Sequence, residues 1–172
     1  MMRLFSLVAG CIATIVLSGC ALQPMYAGGA QGAAAQVLAG IDVSPIQGRA
    51  GWLMANELRD RLSVAGGGAG RGEGASRYRL EVRLDDELEG LGLLSDDTIG
   101  RERRTLRARY QLVDTTNDTI VLDATAGSDV GIDVVSSEYA VIAAEQTALE
   151  RLAGEVADRI ITRLALMGRE NQ

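Results

Sequence analysis

All seventeen basic residues of this 172-residue chain are arginines, and they are unevenly spaced. Arg101, Arg103, Arg104, Arg107 and Arg109 fall within nine residues, with only Glu102 opposing them inside that stretch. Arg77, Arg79 and Arg83 form a second set upstream, at odd positions of an alternating segment. A guanidinium is planar and bonds phosphate or carboxylate through two parallel hydrogen bonds. Side chains of this type gathered on one face make an anion-binding surface. The same arginines can instead be solvated and paired with Glu81, Asp86, Glu87 and Asp123, and both readings stand at this level.

A different chemistry marks the N-terminus. Leu17-Ser18-Gly19-Cys20 follows the positive Arg3 and the apolar run from Leu4 to Leu17. This reads as a signal peptide over residues 1–19 ending in a lipobox, with lipid carried on Cys20. The run is shorter than the roughly 20 apolar residues a transmembrane helix needs. The upstream Val8-Ala9-Gly10-Cys11 leaves too short an apolar core, so Cys11 goes with the signal. Attached acyl chains contribute about 0.8 kcal/mol per buried methylene, enough for two or three chains to tether the protein to a membrane.

Removing residues 1–19 from 172 leaves 153, enough for one domain with its own core. That mature chain carries 16 arginines against 23 carboxylates. The acidic balance and scarce aromatics argue against nucleic acid as a partner. There is no histidine, and a lipidated Cys20 leaves no free thiol. His triads, His or Cys metal sites and disulfides are therefore excluded, and the expectation is a non-enzyme without a cofactor. Asp85-Asp86 and Asp96-Asp97 are the carboxylate pairs a hydrolase would use, but they read as solvated loop charges.

The elements follow from periodicity. Residues 20–36, rich in Ala, Gly and Gln, read as the lipidated N-terminus and a flexible tether, residues 37–168 as a single domain and 169–172 as a tail. Leu38–Ile46 alternates as a short strand. Residues 50–64 carry Trp52, Ala55, Leu58 and Leu62 at helical spacing, with Trp52 read as core. Ser76–Leu84 sets Tyr78, Leu80, Val82 and Leu84 against the arginines. Residues 85–97 read as a hairpin connection or strand continuation, with Leu91, Leu93 and Leu94 as an apolar tip that packs on the domain edge or faces acyl chains. Thr98–Val113 sets Leu106, Ala108, Tyr110 and Leu112 opposite Arg101, Arg103, Arg107 and Arg109. A turn at Asp114–Asp118 leads to Thr119–Ala126, with Ile120, Leu122, Ala124 and Ala126 inward. Gly127–Val135 reads as a linker. A final helix runs from a Ser136 or Ser137 cap to Gly168, with Ile142, Leu149, Leu152, Val156, Ile160 and Leu164 as its stripe. The fold class is α+β: a two-layer sandwich of a four-stranded, mostly antiparallel sheet with two helices on one face.

The chain resembles the lipopolysaccharide-assembly lipoprotein family LptE in its alphaproteobacterial form. The similarity lies in Gly19-Cys20-Ala21-Leu22-Gln23-Pro24-Met25-Tyr26, the helix Asn56–Leu62, the strand Tyr78–Val82, the Arg-rich strand Thr105–Val113 and the long C-terminal helix. It implies a plug inside an LptD-like β-barrel of the outer membrane, binding lipopolysaccharide on its way to the outer leaflet. By resemblance, Arg101, Arg103 and Arg104 fall where family members bind it, extended by Arg107 and Arg109. Ala21 after Cys20 is consistent with sorting to the outer membrane, facing the periplasm and barrel lumen. An auxiliary lipoprotein of an ABC-type lipid transport system is the alternative.

Overall fold

Strands that alternate with period two can bury one face only, and the helices of this chain cover that face. The structure, a computed structural model, describes residues 32–66, 76–93 and 99–170. Its elements are α1 (Ala33–Ala39), β1 (Ile41–Val43), α2 (Gly48–Ala65), β2 (Tyr78–Leu93), β3 (Ile99–Asp114), β4 (Thr119–Asp133) and α3 (Glu138–Glu170). The sheet order is β1-β2-β3-β4. β1 runs parallel to β2 through the crossover helix α2, and the other neighbours are antiparallel. The expected α+β class holds, with a mixed four-stranded sheet and three helices among the described residues.

The core lies between the inner face of the sheet and the helices. Leu106, Ala108, Tyr110 and Leu112 of β3 and Leu80 of β2 are buried. Above them lie Leu149, Leu152, Val156, Ile160 and Leu164 of α3, interleaved with Ala153, Ala157 and Ala165, whose small side chains let helix and sheet approach closely. α2 adds Met54, Leu58 and Leu62. Arg61 clasps the two long helices. Its guanidinium donates to Asp158 at 2.6 Å, to the Gly154 carbonyl at 3.2 Å and to Glu57 one turn earlier on its own helix.

Several expectations are revised. Ala33–Gln36, read as tether, begin α1, which buries Ala34, Ala35 and Leu38 against the end of α3. Gly168 does not end the last helix but admits α1: a Cβ there would sit 3.2 Å from the Val37 Cβ. Trp52 is 64% exposed, because the buried face of α2 runs through Gly51, Met54, Ala55, Leu58 and Leu62. Ile120 turns outward, since a register irregularity at Leu112/Val113 breaks the alternation at that end of β4. Gly127–Asp133, read as linker, continues β4, with Val130 and Ile132 on the inner face. Residues 85–93 continue β2. The first turns of α3 flank the end of β4, and Ile142 on them is 53% exposed. Cys20, the tether up to residue 31, the loop 67–75 and Leu94 of the apolar tip lie outside the described residues.

Replacing Leu152 by Ala empties a fully buried site and is expected to cost about 2–5 kcal/mol. Ile142→Ala, on the overhanging turns, is expected to cost less than about 0.5 kcal/mol. Urea unfolding of both variants, compared with the parent chain, tests this placement of the core.

Candidate functional site: the arginine face

The outer face of the sheet is built by register. Burial of Leu106, Ala108, Tyr110 and Leu112 sends Arg101, Arg103, Arg107 and Arg109 to the other side of β3. On β2 the same parity places Arg79, Glu81, Arg83, Asp85, Glu87 and Glu89 outward. Arg83 stands directly opposite Arg109, Asp85 opposite Arg107 and Glu89 opposite Arg103. On β4, Asp123, Asp129 and Asp133 face outward, with Gly127 opposite Arg107 and Gly131 opposite Arg103. A central column of arginines thus runs between two flanking columns that are mostly acidic.

Most of these arginines are paired. Arg109 donates to both carboxylate oxygens of Asp123, at 3.3 and 2.9 Å, and Gln111 holds the same carboxylate at 2.8 Å. Arg101 reaches Asp133 at 3.1 Å, and Arg103 lies 3.9 Å from Asp129. Arg79 bridges Glu81 at 2.9 Å and Asp118 at 3.2 Å. Arg77 lies 3.8 Å from Asp114 and stacks over the Tyr78 ring, 5.2 Å from its centre. Arg83 and Arg107 differ: among the described residues neither meets a carboxylate, and both are exposed. Of the carboxylates the sequence nominated as partners, Glu81 and Asp123 serve on this face. Asp114, Asp118, Asp129 and Asp133 were missed. Asp129 and Asp133 were hidden by reading Gly127–Val135 as a linker, although Asp129-Val130-Gly131-Ile132-Asp133 carries the period-two signal.

Arg104 does not belong to this face. Its even position points it to the helix side, where it makes two parallel bonds to Asp86 at 2.8 and 2.7 Å and a third to the Glu145 carbonyl of α3 at 2.9 Å. It is mostly buried. The structure therefore brings Arg83, Arg101, Arg103, Arg107 and Arg109 together, sets Arg77 and Arg79 at one end, and places Arg104 among the groups that hold α3 to the sheet. Leu88, which shares the helix-facing parity of β2, is partly exposed beyond the helices.

The pairing shifts acid groups. Arg109, and then Gln111, hold the Asp123 carboxyl below its ordinary range. The Thr116 amide does the same for Asp114. The Ser128 hydroxyl, followed by Arg151, lowers Glu155. The described residues contain no cluster of acidic, His or Cys side chains fit to hold a metal ion, and no described helix is long and apolar enough to cross a membrane.

The domain is of the α+β sandwich class, with helices on one sheet face and an arginine column on the other. The chain belongs to the lipopolysaccharide-assembly family LptE, whose family model matches residues 38–164. Among solved structures it is similar to a protein described as a lipoprotein from Caulobacter crescentus, at 25% identity and a TM-score of 0.63, over 79% of this chain and 96% of that one. Rare lipoprotein B from Shewanella oneidensis shares the fold at 11% identity and a TM-score of 0.60, over 76% and 95% of the two chains. The minor lipoprotein from Acinetobacter baumannii does so at 13% and 0.57, over 73% and 90%. No curated protein sequence matches the chain.

Two outcomes follow from the pairing. Asp123 has a folded pKa below its unfolded one, so its contribution to stability is present above the unfolded value, roughly pH 4, and fades as pH falls through the folded value. Urea midpoints measured from pH 6 down to 2.5 should fall less steeply for Asp123→Asn than for the parent. Arg104→Gln leaves Asp86 and the Glu145 carbonyl unsatisfied and should cost about 1–3 kcal/mol. Arg103→Gln, on the open face, should cost no more than about 1 kcal/mol by the same unfolding assay.

Proposed function

We propose that this protein is an outer-membrane lipoprotein, anchored through Cys20, that assembles with an LptD-like β-barrel and binds lipopolysaccharide during its transport to the outer leaflet. The observation that carries the binding is that Arg83 and Arg107 are exposed and form no ion pair among the described residues. Arg83 is opposite Arg109, and Arg107 is the next outward residue on β3, so the three guanidinium stems spring from neighbouring sheet positions about 5–8 Å apart. That spacing suits one phosphate held by two forks. Arg101 and Arg103 extend the column toward the distal end of the β2–β3 hairpin.

The chemistry is binding rather than turnover. Lipopolysaccharide phosphates and acidic sugars are ordinarily bridged by divalent cations. A guanidinium pair competes for those anions and loosens the bridged aggregate without breaking any bond. Membership of the LptE family supports the outer-membrane setting, and the likeness to the Caulobacter lipoprotein supports the lipid anchor. The acyl chains on Cys20 keep the domain at the membrane while its sheet face does the work.

The test uses the full-length lipoprotein in detergent with purified lipopolysaccharide. Arg83→Glu/Arg107→Glu should weaken binding at least about a hundredfold, the loss expected for two charge-assisted contacts of about 1.5–3 kcal/mol each. Co-purification with the barrel should persist. Unchanged lipopolysaccharide affinity in a folded double variant would overturn the arginine assignment.

A further inference from the structure

β4 is the edge of the sheet, and among the described residues nothing pairs with its outer side. The Val134 amide donates to the Gly100 carbonyl on the β3 side. Even-numbered backbone groups of this strand therefore face β3, and those of Asp123, Thr125, Gly127, Asp129, Gly131 and Asp133 face the open edge. Consistent with that parity, the Gly127 carbonyl accepts a hydrogen bond from the Arg159 guanidinium of α3, which also reaches the Ser128 hydroxyl at 3.3 Å. A long unblocked edge is a template for another strand, and natural proteins usually blunt it. Here one arginine side chain occupies one acceptor.

The charge around this edge is not balanced. The acids of β4 are already matched: Asp123 by Arg109, Asp129 by Arg103 and Asp133 by Arg101. On α3, Glu155 is taken by Arg151 at 2.8 Å and by Ser128 at 2.7 Å. What remains is Arg107 on the outer side of the edge and Arg159 and Arg163 on the helix side, none in an ion pair among the described residues, with Asp85 across the ladder from Arg107 and Glu155 within electrostatic reach of Arg159. Gly127 brings them together. A Cβ there would meet the Arg107 Cγ at 3.1 Å, so the glycine lets that stem lie flat on the strand. Arg107 and Arg159 line one open groove of about 460 Å³ beside Thr125–Asp129. Arg159 and Arg163 line an adjoining one of about 340 Å³.

We infer that this edge is a docking site for an extended acidic segment of a partner polypeptide, which adds to β4 as a fifth strand. Spacing supports the occupant. Arg159 and Arg163 are one helical turn apart, about 6 Å along the axis, and residues two apart in a strand are about 6.6 Å apart. Carboxylates at alternate positions of an incoming strand meet both arginines on the helix side, while its other face passes Arg107. Arg159 leaves the Gly127 carbonyl to a strand amide and takes a carboxylate instead. The tether of this chain does not fit the role, because residues 21–31 contain no Asp or Glu. The site shares Arg107 with the proposed lipopolysaccharide face, but the inference rests on the open strand edge and on Arg159 and Arg163, which that face does not use.

The probe is an acetylated and amidated heptapeptide, Thr-Glu-Thr-Glu-Thr-Glu-Thr, with the Lys-for-Glu peptide as control. Amide hydrogen exchange is followed by NMR on the full-length protein in detergent. Saturating acidic peptide should slow exchange at Thr125, Gly127, Asp129 and Gly131 at least tenfold. Arg159→Gln/Arg163→Gln should weaken the peptide at least tenfold while leaving lipopolysaccharide binding intact. Thr125→Pro, which removes an edge amide and no ladder bond, should abolish the protection in a chain that keeps its unfolding midpoint. Unprotected edge amides at saturation, or equal binding of the Lys peptide, would sink the inference. So would protection that rises with protein concentration without peptide, which assigns the edge to a second copy.

Discussion

The apolar stripe of α3 lying on the inner face of the sheet is the contact from which the rest of the structure follows. Leu149, Leu152, Val156, Ile160 and Leu164 demand an apolar surface about four turns long, and the alternate residues of β2, β3 and β4 supply it. Once Leu106, Ala108, Tyr110 and Leu112 turn inward, every second arginine of β3 must turn outward. A slip of one residue would bury Arg103, Arg107 and Arg109 without partners, at a desolvation cost of several kcal/mol per ion. Core and arginine face are therefore two consequences of one register.

That register also sorts the arginines by task. Arg104 and Arg61 hold helices: the first joins the sheet to α3 through Asp86 and the Glu145 carbonyl, the second joins α2 to α3. Arg101, Arg103 and Arg109 are matched by acids across β4, which relieves the like-charge repulsion that a bare column of arginines would suffer. Arg83 and Arg107 stand outside this matching, as do Arg159 and Arg163 on the helix side of the edge. Among the described residues, Asp85, Glu87 and Glu89 on the same outer face also form no ion pair, so these cations are unpaired by geometry and not for want of nearby acids. Family membership in lipopolysaccharide assembly and the anion chemistry of these positions point the same way.

Much of the architecture was legible from periodicity. The strands around Tyr78–Leu84 and Thr98–Val113, the turn at Asp114–Asp118 and the helices over 50–64 and 138–168 needed only patterns of two and 3.6. Errors arose where tertiary partners override local composition. Gly127–Val135 looks like a linker, yet pairing with Thr105, Leu106 and Arg107 and the residues before them makes Gly127–Asp133 strand. Ala33–Gln36 look like tether and Leu38-Ala39 like the start of a strand, yet docking on Gly168 makes Ala33–Ala39 helix. Trp52 looks like core, yet the α2 stripe lies on Met54 and Leu58. Five arginines in nine residues were visible at once, but which of them were free was not.

What the chain determined by itself is what depends on near neighbours in sequence: the lipobox pattern at Leu17–Cys20, the alternating strands, the amphipathic helices and the absence of histidine, and hence an α+β domain without histidine chemistry. Partnership between charges was decided only by the tertiary structure. Arg109 finds Asp123, Arg101 finds Asp133 and Arg104 finds Asp86 across 14 to 32 residues of sequence. Coulomb energy and hydrogen bonding depend on distance in space, which strand register and helix docking set. An arginine's identity is written in the sequence, but its freedom to bind another molecule is left over after the fold has made its own pairs.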